Sequence, residues 1–292
     1  MKLSGSYTAL ITPFRDGTID AAAFQDFVAW QIQQGTDGVV PCGTTGESPT
    51  LSHAEHKRVV ELTVEVAHGR AVVMAGTGSN STAEAIDFTR HAERAGADAV
   101  LVVCPYYNRP TQEGLYQHYK AIHDASGLPI VIYNIPGRTG VDMSIETMRR
   151  LAELPRIAGV KDATADLARP LRTRLAIGPD FRQFSGEDIT ALPFLAQGGH
   201  GCISVVSNAA PKLCAELQHA WAAGDAATAI RLNERLAPLA DALFAETNPT
   251  PVKYAVSLLG RCDAAVRGPL LPASEAVRPR IEQAMRHAGL IN

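Results

Sequence analysis

Short apolar, β-branched runs recur eight times along this chain at intervals of roughly 20 to 33 residues, and that spacing restricts its fold more than any other feature. They occupy residues 6–11, 38–42, 71–75, 99–104, 129–133, 157–161, 181–185 and 201–205. Each run is nearly continuous rather than alternating, which is how a strand covered on both faces reads. Amphipathic stretches at 21–34, 54–67, 83–95 and 113–125 separate the first five runs and end at or shortly before Gly35, Gly69, Gly96 and Gly127. Ser52-His53-Ala54-Glu55 has the capping-box pattern that opens the second of these helices.

Eight strand–helix alternations with right-handed crossovers predict an α/β fold, an eight-stranded parallel β/α (TIM) barrel. A doubly wound open sheet is the structural alternative. Eight units in about 205 residues favour the barrel, and no G-x-G-x-x-G follows the first strand. From about residue 209 strand-like runs stop and helical ones follow, at 212–223, 226–245, 250–259 and 274–288. The expected organisation is a catalytic barrel, residues 1–208, with a helical appendage, residues 209–292, packed on it.

Composition excludes several function classes for a chain of 292 residues with 46% hydrophobic and 20% charged residues. A net charge of -3 and a pI near 6.3 give no electrostatic footprint for nucleic acid or an anionic membrane. No apolar run approaches the roughly 20 residues that span a bilayer. The opening segment reads as a first strand rather than a signal peptide. The five cysteines are widely spaced with no C-x-x-C pair, so a reducing cytoplasm is expected and each cysteine reads as a small hydrophobe.

In a barrel the chemistry sits at the C-terminal ends of the strands. Lys161, one of only six lysines, ends the apolar run at 157–161. Desolvation lowers the pKa of a buried lysine, and attack on a carbonyl requires free amine near neutrality. A lysine here can equally exit into solvent or pair with Asp162. Tyr133 closes the preceding run, where its hydroxyl can serve a proton relay with Thr44 and Thr45 or simply fill the core. The turn Gly43-Thr44-Thr45-Gly46-Glu47-Ser48 can present backbone N–H groups to a carboxylate, or can be only a turn. No H-E-x-x-H, Walker lysine or serine nucleophile elbow is present. His53 and His56 share a helix face, but no third metal ligand accompanies them, so no metal site is expected.

Gly43-Thr44-Thr45-Gly46-Glu47-Ser48, Tyr133-Asn134-Ile135-Pro136 and Gly159-Val160-Lys161-Asp162 together resemble the pyruvate-dependent class I aldolase superfamily. The resemblance runs over essentially the whole chain, to His287-Ala288-Gly289-Leu290. Within the superfamily, Pro136-Gly137-Arg138-Thr139-Gly140 points to the dihydrodipicolinate synthase family. That resemblance implies a lyase of lysine and diaminopimelate biosynthesis that joins pyruvate to L-aspartate 4-semialdehyde. It needs no cofactor, because Lys161 forms a Schiff base.

It also implies particular roles. Lys161, Tyr133 and Thr44 are catalytic, and Tyr107 enters from a neighbouring subunit of a homotetramer built from two dimers. Thr45, Gly186 and Ile203 hold the pyruvate end, and Arg138 holds the aldehyde's carboxylate. Ser48, Pro49, His53, His56, Asn80, Glu84 and Tyr106 match a feedback site for L-lysine; Pro49 departs from the alanine common among relatives. Two other readings stay open. One is a pyruvate-type aldolase or dehydratase for a sugar acid or related 2-oxo acid; the other is a non-catalytic barrel that binds a small molecule.

Overall fold

A computed structural model describes residues 3–292; Met1 and Lys2, the start of the segment read for a leader, lie outside the described residues. Strand β1 (Gly5–Ala9) is followed by a hairpin, β2 (Phe14–Arg15) and β3 (Thr18–Ile19). Seven more strands follow: β4 (Gly38–Val40), β5 (Val72–Gly76), β6 (Ala99–Val103), β7 (Ile130–Asn134), β8 (Ile157–Asp162), β9 (Arg182–Ser185) and β10 (Gly201–Ser204). Apart from the hairpin, all pair in parallel, and β1 bonds to both β4 and β10, so the sheet closes into an eight-stranded barrel. Each of the eight expected runs contributes one barrel strand, with ends displaced by at most two residues.

The helices are α1 (Ala21–Gln33), α2 (His53–Ala67), α3 (Thr82–Ala95), α4 (Gln112–Ala125), one-turn α5 (Pro136–Thr139), α6 (Ile145–Ala152), α7 (Arg169–Ile177), α8 (Ala191–Ala196), α9 (Pro211–Ala222), α10 (Ala226–Leu243), α11 (Thr250–Leu258) and α12 (Arg278–His287). Their ends follow local chemistry. Ser52 and Glu55 exchange the two bonds of a capping box at α2, and Gly96 closes α3 in the left-handed region at φ 94°. The last helix begins at Arg278 rather than at 274, because Pro279 sets its first turn and residues 275–277 form a preceding turn.

Two apolar layers hold the molecule together. The larger lies between the strands and the surrounding helices, tail included. The smaller fills the barrel with Tyr7, Val40, Met74, Leu101, Val131, Tyr133, Phe184 and Ile203 among others. Tyr7 and Phe184 meet edge to face at 5.0 Å. A side chain at Gly38 would occupy the volume of the Tyr7 ring, so the barrel floor requires glycine there. Among the described residues no helix is long and apolar enough to cross a membrane.

Candidate active site

The loop after β4 is shaped by two non-glycine residues in left-handed backbone, Cys42 at φ 55° and Glu47 at φ 56°. Between them, the N–H groups of Gly46, Glu47 and Ser48 donate to Gly43 and Thr44 carbonyls of the same loop. The broad expectation of a carboxylate-binding turn is thereby narrowed. The N–H groups of Gly43, Thr44 and Thr45 are left without a partner among the described residues. From outside, the Thr12 hydroxyl donates to Gly46 O at 2.7 Å.

The tail fixes this loop as well. Lys253 Nζ donates to Glu47 Oε1 at 2.6 Å in a fully buried ion pair, and the N–H of Arg267 donates to Glu47 Oε2 at 2.8 Å. Burial lowers the Lys253 ammonium from its usual range, and the Glu47 charge opposes that shift. Arg267 in turn grips Glu55, whose carboxyl it holds down at about 2. Asn248 Nδ2 donates to Thr45 Oγ1 at 3.0 Å. Sequence reading passed over all three tail residues. Nothing in the local pattern marks them, since they lie 203 to 220 positions from their partners.

Lys161 and Tyr133 are register partners on β8 and β7. Both side chains therefore turn into the barrel, and the Lys161 amine sits 4.1 Å from the centre of the Tyr133 ring. The amine is neither in solvent nor paired: Lys161 is 5% exposed, and no carboxylate among the described residues lies within ion-pair distance of it. Asp162, the alternative partner weighed from sequence, instead contacts Arg169 Nε at 3.1 Å. Gly186 makes room for the lysine stem. A methyl group there would lie 2.7 Å from Ala163 Cβ and 3.2 Å from Lys161 Cε. Glu187 follows, and its carboxyl is raised by burial while the charges of Lys161 and Arg138 draw it back.

A cavity of about 550 Å³ opens over this point, walled by Gly43, Thr44, Tyr106, Tyr107, Tyr133 and Arg138 among others. Lys161, Thr45, Gly186 and Ile203, expected in the same wall, lie outside it; Tyr133 is the wall residue that touches the amine. Thr44 and Tyr133 share the cavity without a hydrogen bond between them in this chain. Tyr107 is 90% exposed in left-handed backbone at φ 69°. Arg138 rises from α5, with no carboxylate within ion-pair distance among the described residues and only a 3.5 Å contact to Asn248 O.

The second set of expected residues gathers between α2 and α3. Glu84 holds His53 Nε2 at 2.6 Å and accepts from the Ser79 hydroxyl. His56 stacks on Phe88 at 3.9 Å, and burial lowers its imidazole to about 4, so it is neutral near pH 7. The Tyr106 phenol is raised chiefly by burial and then by the charge of Glu84. Ser48, Pro49 and Tyr106 belong to the wall of the large cavity, so the two sets adjoin. Ser79 was missed because its Gly-Thr-Gly-Ser setting reads as an ordinary turn. Of the five cysteines, all with free thiols, Cys262 is half-buried and the others are buried.

This arrangement joins a buried amine to a phenol, and a strained Thr-rich loop to an unpaired guanidinium. The chain matches the dihydrodipicolinate synthetase family over residues 2–288. It belongs to that family. It is 61% identical over 291 residues to the 4-hydroxy-tetrahydrodipicolinate synthase of Bradyrhizobium diazoefficiens, covering 100% of this chain and 98% of the relative. Against the enzyme of the same name from Rhodospirillum centenum it is 66% identical over 287 residues, 98% of this chain and 99% of that one.

Solved structures agree. A dihydrodipicolinate synthase of Acinetobacter baumannii, complexed with pyruvate, superposes with a TM-score of 0.97 at 46% identity, covering 99% of this chain and 100% of that one. One from Cyanidioschyzon merolae with lysine bound gives 0.95 at 38% identity, with 99% of each chain covered. The expected barrel and the expected family are both borne out.

Proposed function

We propose that this lyase condenses pyruvate with L-aspartate 4-semialdehyde to 4-hydroxy-tetrahydrodipicolinate, with Lys161 as the nucleophile. The observation that carries the reading is the Lys161 amine, buried without a counter-ion against the Tyr133 ring. The amine attacks C2 of pyruvate, and the carbinolamine loses water to an imine. Loss of a C3 proton gives an enamine, whose C3 attacks the aldehyde carbon while the aldehyde oxygen takes a proton. The substrate's own amine then adds to C2 and expels the lysine amine, closing the ring. The protonated imine is the electron sink, so the reaction runs without an organic cofactor.

The remaining roles follow from position. Tyr133 and Thr44 move protons at the carbinolamine, and Tyr107 completes their relay from a second copy of the chain. Its exposure and its left-handed backbone support that reading. A dimer is the minimum this requires, and a tetramer of two such dimers in the cytoplasm is the assembly we favour. Thr45, Gly186 and Ile203 shape the pyruvate end. The barrel, residues 1–208, carries the chemistry, and the appendage, residues 209–292, steadies it through Asn248 and Lys253.

Arg138 receives the carboxylate of the aldehyde substrate, since a planar guanidinium matches a carboxylate bidentately. Arg138→Ala is expected to lower kcat/KM for the aldehyde by about 100-fold while pyruvate still forms its adduct on Lys161. Steady-state kinetics with each substrate varied in turn provide the check. Equal losses for both substrates would remove the assignment.

The α2–α3 cluster is proposed as a site for L-lysine, with Glu84 taking an ammonium and Tyr106 and Asn80 taking the carboxylate. The lysine-bound relative supports it. Glu84→Gln is expected to raise the half-inhibiting concentration of L-lysine at least about 10-fold. An unchanged inhibition curve would place the inhibitor elsewhere.

A further inference from the structure

On β7 and β8 the residues that follow Tyr133 and Lys161 are Asn134 and Asp162, which are again register partners. Strand alternation turns these two outward, into the layer between barrel and helices. There they meet one guanidinium. Arg169, the first residue of α7 and 8% exposed, has Nε 3.1 Å from Asp162 Oδ2 and donates from Nη1 to Asp142 Oδ2 at 3.1 Å. Its Nη2 donates to the carbonyl of Met143. Asp142 closes the chain of contacts, because its Oδ1 accepts from Asn134 Nδ2 at 2.8 Å. Asn134 Oδ1 in turn accepts from Met143 N at 3.0 Å.

We propose that Arg169 is a positioning residue for the reaction: it clamps Asp162 directly and Asn134 through Asp142, and so sets the amine of Lys161 against the phenol of Tyr133. The inference rests on the reading of Lys161 as the nucleophile. Only one Cα–Cα step separates each clamped residue from a reacting one, so a tilt of either strand end displaces amine or phenol directly. Other bonds reinforce the same point. Ala163 N donates to Asn134 O at 2.9 Å, and Gly186 N donates to Asp162 O at 2.6 Å, tying in the glycine that flanks Lys161. Thr164 supplies two more donors to Asp162 Oδ1, at 2.9 and 2.7 Å.

Burial raises the Asp162 carboxyl above its usual range, so this carboxylate is held in the core at a cost. Apolar packing of the same volume is commonly as stable as a buried ion cluster or more so. Stability alone therefore gives little reason for two carboxylates and a guanidinium here. Fixed geometry behind a nucleophile does, because small misplacements of reacting groups carry large rate losses.

The test uses the full-length protein and two readouts: the rate of borohydride trapping of pyruvate on Lys161, and the split of kcat against KM. Asp142→Ala cuts the link to Asn134 at a half-exposed site and leaves Arg169 its ion pair with Asp162, so no buried charge is stranded. Its trapping rate at saturating pyruvate is expected to fall at least about 10-fold, with the pyruvate KM within about two-fold of wild type. Asp142→Glu, which keeps two carboxylate oxygens, should recover most of the rate. Arg169→Lys, a point charge that cannot span the fork, should fall at least as far as Asp142→Ala. Trapping at the wild-type rate in Asp142→Ala, or a raised KM with kcat unchanged, would overturn the proposal. A wild-type protein that traps no pyruvate on Lys161 overturns the Schiff-base reading and takes this inference with it.

Discussion

Lys161→Ala protein is expected to lose at least about 10⁴-fold of its turnover while keeping its fold. The size follows from what is removed. Among the described residues no other amine lies against Tyr133, and without an amine no imine forms, so C3 of pyruvate loses the electron sink that makes its proton acidic. The fold should survive because a methyl side chain at this position strands no partner: the structure gives Lys161 no ion pair to break. Circular dichroism and a coupled assay on the same preparation separate the two effects. Turnover within 10-fold of wild type would remove Lys161 from the mechanism.

The second large effect concerns stability. Glu47 and Lys253 are 1% and 0% exposed at the side chain and 2.6 Å apart, between the strained β4 loop and α11. Lys253→Met is expected to destabilise the protein by about 3–5 kcal/mol, because it leaves the Glu47 carboxylate buried with one backbone N–H as its remaining donor. Replacing both groups, as Lys253→Met with Glu47→Gln, should return a large part of that loss. Urea unfolding of the wild type and both variants measures it. A single-variant loss below about 1 kcal/mol would show that water or a rearranged Arg267 reaches the carboxylate.

The barrel was legible because its strands are buried on both faces, which writes each as a continuous apolar run with little else to compete. Shorter elements left weaker traces. The two-residue strands around Asp16-Gly17 are too brief for any periodicity, although both turn residues take positive φ, at 52° and 77°. Helix α6, eight residues capped by the Ser144 hydroxyl, which accepts from Thr147 N, went unread.

The site divides in the same way. Lys161 and Tyr133 stood out as polar residues ending apolar strands. Arg138 stood out through resemblance alone. Asn248, Lys253 and Arg169 carry no local mark, since their roles exist only once distant segments meet. The polar end of the cavity is thus readable from strand ends, whereas its supporting contacts belong to the tertiary fold.

The central claim is that the Lys161 amine bonds covalently to C2 of pyruvate. Incubating the protein with pyruvate and borohydride, followed by intact mass and peptide mapping, tests it most directly. The account predicts one adduct per chain, with the mass of pyruvic acid less one oxygen atom, located on Lys161 and missing from Lys161→Ala protein. An unmodified Lys161 in protein that turns over both substrates, or an adduct on another lysine, would contradict it.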